Sequence, residues 1–256
     1  MLYDLSKLPL AIQQSIEKDY FKLFSTFPDR LFSIGADTKT VKGQELDVLT
    51  GIVYLSPYKI SGVNMCPSAE LAECHVGCLN TAGRGQFTSN QMARLKKTLF
   101  LQQYPEVFKV LVRKEINRLK RKASRMNMLP MVRMNGTSDK RWELFMPEIF
   151  LEYPEVQFYD YTKIPNRKLG NIQNYDLSFS YSGVKAYQPM VAKALKKNMR
   201  LAVVFRSKDN QPKTFLGRKV INGDMTDIRP YDPQGVIVAL YAKGDAIHDK
   251  TGFVVD

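Results

Sequence analysis

Met131-Val132-Arg133-Met134-Asn135-Gly136-Thr137-Ser138-Asp139 is a short apolar run that stops in small polar residues and opens into a helix-forming stretch, 140–151. The next apolar run, Val156-Gln157-Phe158-Tyr159-Asp160-Tyr161, ends the same way in Thr162-Lys163. Strand, polar end, helix, strand is the unit from which parallel sheets are built. The unit extends in both directions. A β-rich run at 48–55 is stopped by Ser56-Pro57; downstream come strands at 176–181, 201–205 and 235–241, with a helix at 187–197 after Ser182-Gly183. Six such strands predict an α/β protein, either a partial (β/α)6 barrel or an open parallel sheet. The carboxyl ends of parallel strands are where connecting loops converge and chemistry is presented.

The loop after the first strand concentrates unusual residues. All three cysteines of the chain, Cys66, Cys74 and Cys78, fall in thirteen positions, with His75 among them and Gly83-Arg84-Gly85 just beyond. Pro67 followed by Ala, Glu and Leu reads as a helix over 67–79 that places Cys74 and Cys78 four residues apart on one face. Thiolates are natural ligands of zinc and of iron–sulfur clusters, so the expectation is a metal site of Cys66, Cys74 and Cys78. It is either closed by His75 or another residue, or left open at the fourth position, as catalytic sites are. A small buried core patch and a disulfide are the bland alternatives.

The remaining sequence sets the context. The formal net charge is +13, and between Met92 and Arg125 eleven basic residues face only Glu106 and Glu115. Arg113, Lys114, Arg118, Lys120, Arg121, Lys122 and Arg125 lie above an apolar stripe of Val107, Val110, Leu111, Ile116 and Leu119. That pattern predicts a basic helical insertion at 89–126, divided at Pro105, that contacts the phosphates of DNA or RNA. A solvated helix face is the simpler reading of a charge run. No apolar run is long enough to span a membrane and the first ten residues do not read as a secretory signal, which predicts a cytoplasmic protein without disulfides. The expected organisation is an amphipathic helical segment in 1–47, with a helix at 10–25 and a loop at 37–47. It packs on one main domain, 48–256, whose irregular arm at 207–234 reads as a hairpin with loops that serve as a lid or substrate arm.

At the strand ends, Asp139, Asp160 and Lys163 are the candidate catalytic residues, because carboxylates and amines there can act as acid, base, nucleophile or anion ligand. Asp139 also fits the cap of the following helix, and Asn135 is an amide that must find partners if buried.

The Cys-Pro and Cys-x-x-x-Cys segment, Asn135-Gly136-Thr137-Ser138-Asp139 followed by Trp142, and Phe158-Tyr159-Asp160-Tyr161-Thr162-Lys163 resemble an uncharacterised phage and plasmid family known by a gene-product number. That resemblance implies a phage origin and no particular reaction. The arrangement more loosely resembles radical S-adenosylmethionine enzymes, in which a three-cysteine loop follows the first strand of a partial barrel. It implies an iron–sulfur cluster on the three cysteines and S-adenosylmethionine beside Asn135, Gly136, Thr137 and Ser138, although this cysteine spacing is wider than the usual one. The expectation is an enzyme that modifies nucleic acid or a nucleotide, for instance DNA. Two alternatives are a zinc enzyme similar to base-exchanging transglycosylases, with Asp139 or Asp160 as nucleophile, and a zinc-stapled protein that only binds nucleic acid.

Overall fold

The computed structural model describes residues 2–16, 20–36, 41–209 and 211–256. In chain order the elements are α1 (Leu10–Ser15), β1 (Phe32–Ile34), β2 (Val48–Val53), α2 (Thr88–Gln103), α3 (Pro105–Arg125), β3 (Leu129–Arg133), α4 (Trp142–Phe145), α5 (Glu148–Glu152) and β4 (Gln157–Thr162). There follow β5 (Tyr175–Ser180), α6 (Gln188–Lys196), β6 (Leu201–Phe205), β7 (Thr214–Phe215), β8 (Arg218–Asn222) and β9 (Ile237–Tyr241). The strands form one open nine-stranded sheet in the order β1-β2-β3-β4-β5-β6-β9-β8-β7. β2, β3, β4, β5, β6, β9 and β8 run parallel, and β1 and β7 add antiparallel edges. All six expected strands are present, each within two residues of its expected ends, and all are parallel. The open sheet, of the two alternatives, is what is observed.

Strands that follow chain order place their crossover helices on one face, because such connections are right-handed. Leu49, Val53, Val132 and Phe158 accordingly share a core with Leu95, Leu99, Val112, Ile116 and Leu119 of α2 and α3. Farther along the sheet, Val191 and Ala194 of α6 pack on Phe179, Leu201, Val203 and Ile237. Tyr3, Leu8, Ile16 and Phe24 from the N-terminal segment add to the first core. Glu115, buried inside the basic helix, accepts the backbone N–H of Phe32 at 3.1 Å and so fastens the β1 edge to α3. No helix among the described residues is long and apolar enough to cross a membrane.

The opposite face is not bare. Val48, Met131 and Tyr159, one residue out of step with the helix-facing side chains, meet Ile228. Ile228 also lies against Gly43 just before β2, where any side chain would strike it. Yet Gly223, five residues earlier, is bonded to Ala239 of β9. Six strand spacings separate β8 from β2, about 29 Å in a flat sheet, while five residues reach at most about 18 Å. The sheet must therefore curl, with residues 223–232 crossing its concave side.

Several expectations needed correction. The helix expected over 140–151 is broken into α4 and α5, because Pro147 cannot continue a helix. The helix expected over 10–25 appears as α1 and a 3₁₀ turn, Phe21–Ser25, with 17–19 outside the described residues; the loop at 37–47 contains a 3₁₀ turn, Lys42–Leu46, with 37–40 outside them. The arm at 207–234 does contain a hairpin, turned by Leu216 and Gly217, both at positive φ as such tight turns require. It is not a free lid. Asp227, Ile228 and Arg229 are buried, Asp227 accepts from Arg133 and from Tyr161 Oη at 3.0 Å, and Arg229 pairs with Asp232 at 2.7 Å. Ile228→Ala should therefore destabilise the whole fold by ~2 to 5 kcal/mol in denaturant unfolding; a mobile arm would give no change.

Candidate functional site at the carboxyl mouth of the sheet

The segment after β2 leaves the carboxyl edge of the sheet and crosses it. Its course is fixed at successive strand ends. Thr137 and Asp139, just past β3, bond to Leu55 O and Met65 O. Ser182 Oγ, past β5, donates to Ala72 O at 2.8 Å. Gly77 lies against Ala246, past β9, so closely that a Cβ there would be 3.0 Å from it, and the Asp245 N–H donates to Thr81 Oγ1 at 3.2 Å. The cysteine loop is thus a cover laid over the mouth of the curled sheet.

Within it the expected long helix is absent. Ala72 N bonds to Ser68 O, Glu73 N to Glu70 O and Cys74 N to Ala69 O, and Glu73 has φ +52°. These bonds are the Schellman ending of a single helical turn, with Glu73 in the left-handed position that favours glycine. Cys74 therefore begins a new chain direction, and Cys78 is not one turn above it on a helix.

The three thiols are free. Cys66 Sγ accepts the Tyr58 N–H at 3.3 Å, and Cys74 packs against Ala246, Phe253 and Val254. Burial pushes Cys66 up to about 12 and raises Cys74 and Cys78. Cys74 and Cys78 add to the rise at Cys66, and Cys74 adds to that at Cys78, while Lys163 opposes the rise at Cys74 as Arg94 does at Cys78. The thiols are neighbours, but among the described residues no group of three His, Cys, Asp or Glu side chains is arranged to hold a metal ion. His75 is engaged elsewhere: its ring lies 5.0 Å from that of Tyr58, and Nδ1 is 3.2 Å from Ala69 O.

Beneath the loop lies a buried polar floor. Asp139 Oδ2 accepts the Lys163 backbone N–H at 2.8 Å, and Oδ1, 3.8 Å from Arg167 Nη1, has no hydrogen-bond partner. Burial raises the Asp139 carboxyl and lowers the Lys163 ammonium. Lys163 Nζ donates to Ser180 Oγ at 3.0 Å and to the carbonyls of Ser180 and Tyr181, with the Phe253 ring 5.0 Å away. Arg167 in turn holds Glu143 and the Tyr175 hydroxyl. Asp160 is 1 % exposed and accepts from Asn135 N, Asn135 Nδ2 and Tyr175 Oη at 2.8, 3.0 and 2.7 Å; burial pushes it up to about 6.

The structure places Asp139 near Cys66 and Cys74 and Lys163 near Cys74, while Cys78 lies toward Arg94. It gives Asn135 to Ser138 different duties. Asn135 Oδ1 accepts from Ser138 Oγ, Lys140 N and Trp142 Nε1, while its Nδ2 donates to Lys140 O and Asp160. Thr137 is spent on Leu55, and Gly136 sits where a Cβ would enter the Tyr54 ring. Glu143 was missed by the sequence reading; it lies in α4 and not on a strand end, and only the fold joins it to Arg167.

A family model described as Gene product 88 matches residues 30–256. The chain belongs to the Gene product 88 family. No curated protein and no solved structure matches it, so the looser likeness to radical S-adenosylmethionine enzymes gains no support. In this phage gene-product family member the cationic C-terminal half of α3 points away from the mouth. Arg125 ends α3 just before Leu129, which pairs with Val48 at the start of β2, so the helix carries its charge to the amino edge. Arg113 pairs with Glu148 and Glu152, Arg118 with Glu115 and Lys120 with Glu155. Lys114, Arg121, Lys122 and Arg125 are exposed and make no ion pair among the described residues.

Two measurements follow. Glu73→Gly should stabilise the protein by up to ~1 kcal/mol, since the left-handed cost to a side chain exceeds glycine's entropic cost; unchanged or lower stability would contradict the Schellman assignment. Asp160 holds its proton more tightly when folded, so its contribution to stability should fall as pH rises from about 4 to about 6, by at most ~3 kcal/mol. The difference between wild type and Asp160→Asn across that window isolates it.

Proposed function

We propose that this protein is an enzyme in which Cys66, Cys74 and Cys78 hold an iron–sulfur cluster or a metal ion, and that it acts on a nucleotide or nucleic acid at the mouth of its sheet. The observation that carries this reading is three free thiols on a loop that covers the strand ends, above buried Asp139 and Lys163, with Cys66 in the field of the other two; as they stand they do not surround one ion, so a bound group would have to draw them together. Three soft donors suit iron–sulfur or zinc chemistry and leave one coordination position open. Buried thiols pushed up in pKa are poor as free thiolates, and a bound cation that displaces their protons would reverse that bias.

When bound, the group would supply electron-transfer or Lewis-acid chemistry; the chain's own residues do the rest. Lys163, held by Ser180 and Tyr181, places a fixed positive charge beside Cys74 and so favours its thiolate. Asp139 is the better-placed acid, base or nucleophile, because it lines the cleft beside Cys66, whereas Asp160 is enclosed by Asn135 and Tyr175. With iron, S-adenosylmethionine is the co-substrate of this reading. With zinc, base exchange through Asp139 is the alternative. The exposed Arg121, Lys122 and Arg125 at the far edge, with Lys114 midway along α3, favour a second reading, a zinc-stapled protein that only binds nucleic acid.

Elemental analysis of anaerobically purified protein tests these readings. Brown protein with iron and sulfide, lost on joint substitution of the three cysteines by alanine, is the expected result. Zinc alone moves support to the zinc readings, which Asp139→Asn then separates: it should abolish base exchange and leave binding to DNA intact. Neither metal in the wild type would overturn the proposal.

A further inference from the structure

A cleft of ≈ 400 Å³ opens between the start of the cysteine loop and the α4 region, lined by Val63, Asn64, Met65 and Pro67 on one side and by Asp139, Lys140, Arg141, Leu144 and Phe145 on the other. Cys66 lies in sequence between two of its lining residues. We propose that this cleft binds one nucleotide unit, a flat ring carrying a phosphate, and so presents it beside the cysteine site. This rests on the reading above for the choice of ligand class, but not on the presence of a metal.

The size, surface and charge of the cleft all suit such a ligand. A volume of this order is that of a small-ligand site and excludes a duplex. Val63 and Leu144 form apolar lips, 51 % and 61 % exposed, with no covering element. Phe145, half-buried in the wall, already carries two ammonium groups: Lys140 Nζ lies 4.1 Å and Lys109 Nζ 5.0 Å from its ring centroid. Lys109 is balanced by Glu106 at 3.0 Å. Lys140 and Arg141 have no acidic partner among the described residues, and the one carboxylate in the wall, Asp139, is turned to Lys163 N and Arg167. Burial and the neighbouring Lys109 lower the Lys140 pKa, so an anion arriving at this ammonium would relieve both penalties. A cleft with apolar lips and two unbalanced cations, one a guanidinium suited to paired phosphate contacts, matches a ring bearing a phosphate better than it matches a neutral or cationic ligand.

The test is equilibrium binding to the purified full chain, by calorimetry with the deoxynucleoside 5′-monophosphates and by anisotropy with a labelled single-stranded oligonucleotide. The expected result is that a monophosphate binds more tightly than its nucleoside or inorganic phosphate. Lys140→Gln and Arg141→Gln should each weaken it about tenfold or more, and Leu144→Ala should weaken it while leaving the fold intact. The charge-matched pair Lys193→Gln and Lys196→Gln on α6 should leave it unchanged. If the monophosphate displaces the oligonucleotide, and the cleft substitutions weaken both, the nucleotide comes from a strand. If only the monophosphate responds to them, a free nucleotide is the ligand. No monophosphate binding at millimolar concentration, or binding indifferent to Lys140→Gln and Arg141→Gln, overturns the proposal; either result leaves the metal analysis untouched.

Discussion

The mouth of this protein depends on a single buried aspartate. Asp139 gives its backbone N–H to Met65 in the cysteine loop and accepts the backbone N–H of Lys163 on its carboxylate, so one residue past β3 joins the loop that leaves β2 to the end of β4. The position is costly for a charge, as the raised carboxyl shows, and Arg167 at 3.8 Å compensates without a hydrogen bond. Such a residue is expected to be strongly committed to its place, because removing one partner of a buried charged set leaves the others desolvated and unpaired. The same network continues through Arg167 to Glu143 and Tyr175, and from Tyr175 to Asp160 and Asn135. Trp142, donating to Asn135, carries it into the helical layer.

Much of the sheet was legible in the sequence because parallel strands buried on both faces read as apolar runs with polar ends. β3, β4, β5 and β6 followed from that pattern alone. β8 did not, since Arg218-Lys219-Val220-Ile221-Asn222 is half polar and pairs in parallel with β9, a strand that comes later in the chain. The crossing of the concave face by 223–232 was invisible for a related reason: Ile228 is an isolated apolar residue among turn formers, and its partners Val48, Met131 and Tyr159 are spread over three strands. The cysteine loop was found by composition, which locates thiols but does not orient them. Glu73 in a left-handed conformation has no composition signal at all, and it is what turned the expected helix into a single turn.

The basic run illustrates the limit of charge counting. Eleven cations in one segment look like a phosphate-binding surface, but the acids that neutralise part of it, Glu148, Glu152 and Glu155, come from residues far along the chain. What survives as uncompensated charge lies at the amino edge of the sheet. The cations at the C-terminal end of α3 are held away from the thiols by a helix of 21 residues, about 31 Å long, whereas Arg94 of α2 stays beside Cys78.

Because the strands from β1 to β6 assemble in the order in which they are synthesised, most of the sheet can form behind the ribosome, neighbour by neighbour. The cover over its mouth cannot. Residues 72–81 rest on Ser182, Gly244 and Ala246, which emerge more than a hundred residues later. Until then the loop that carries the three thiols lacks the residues it rests on, and chain from beyond β9 completes its support.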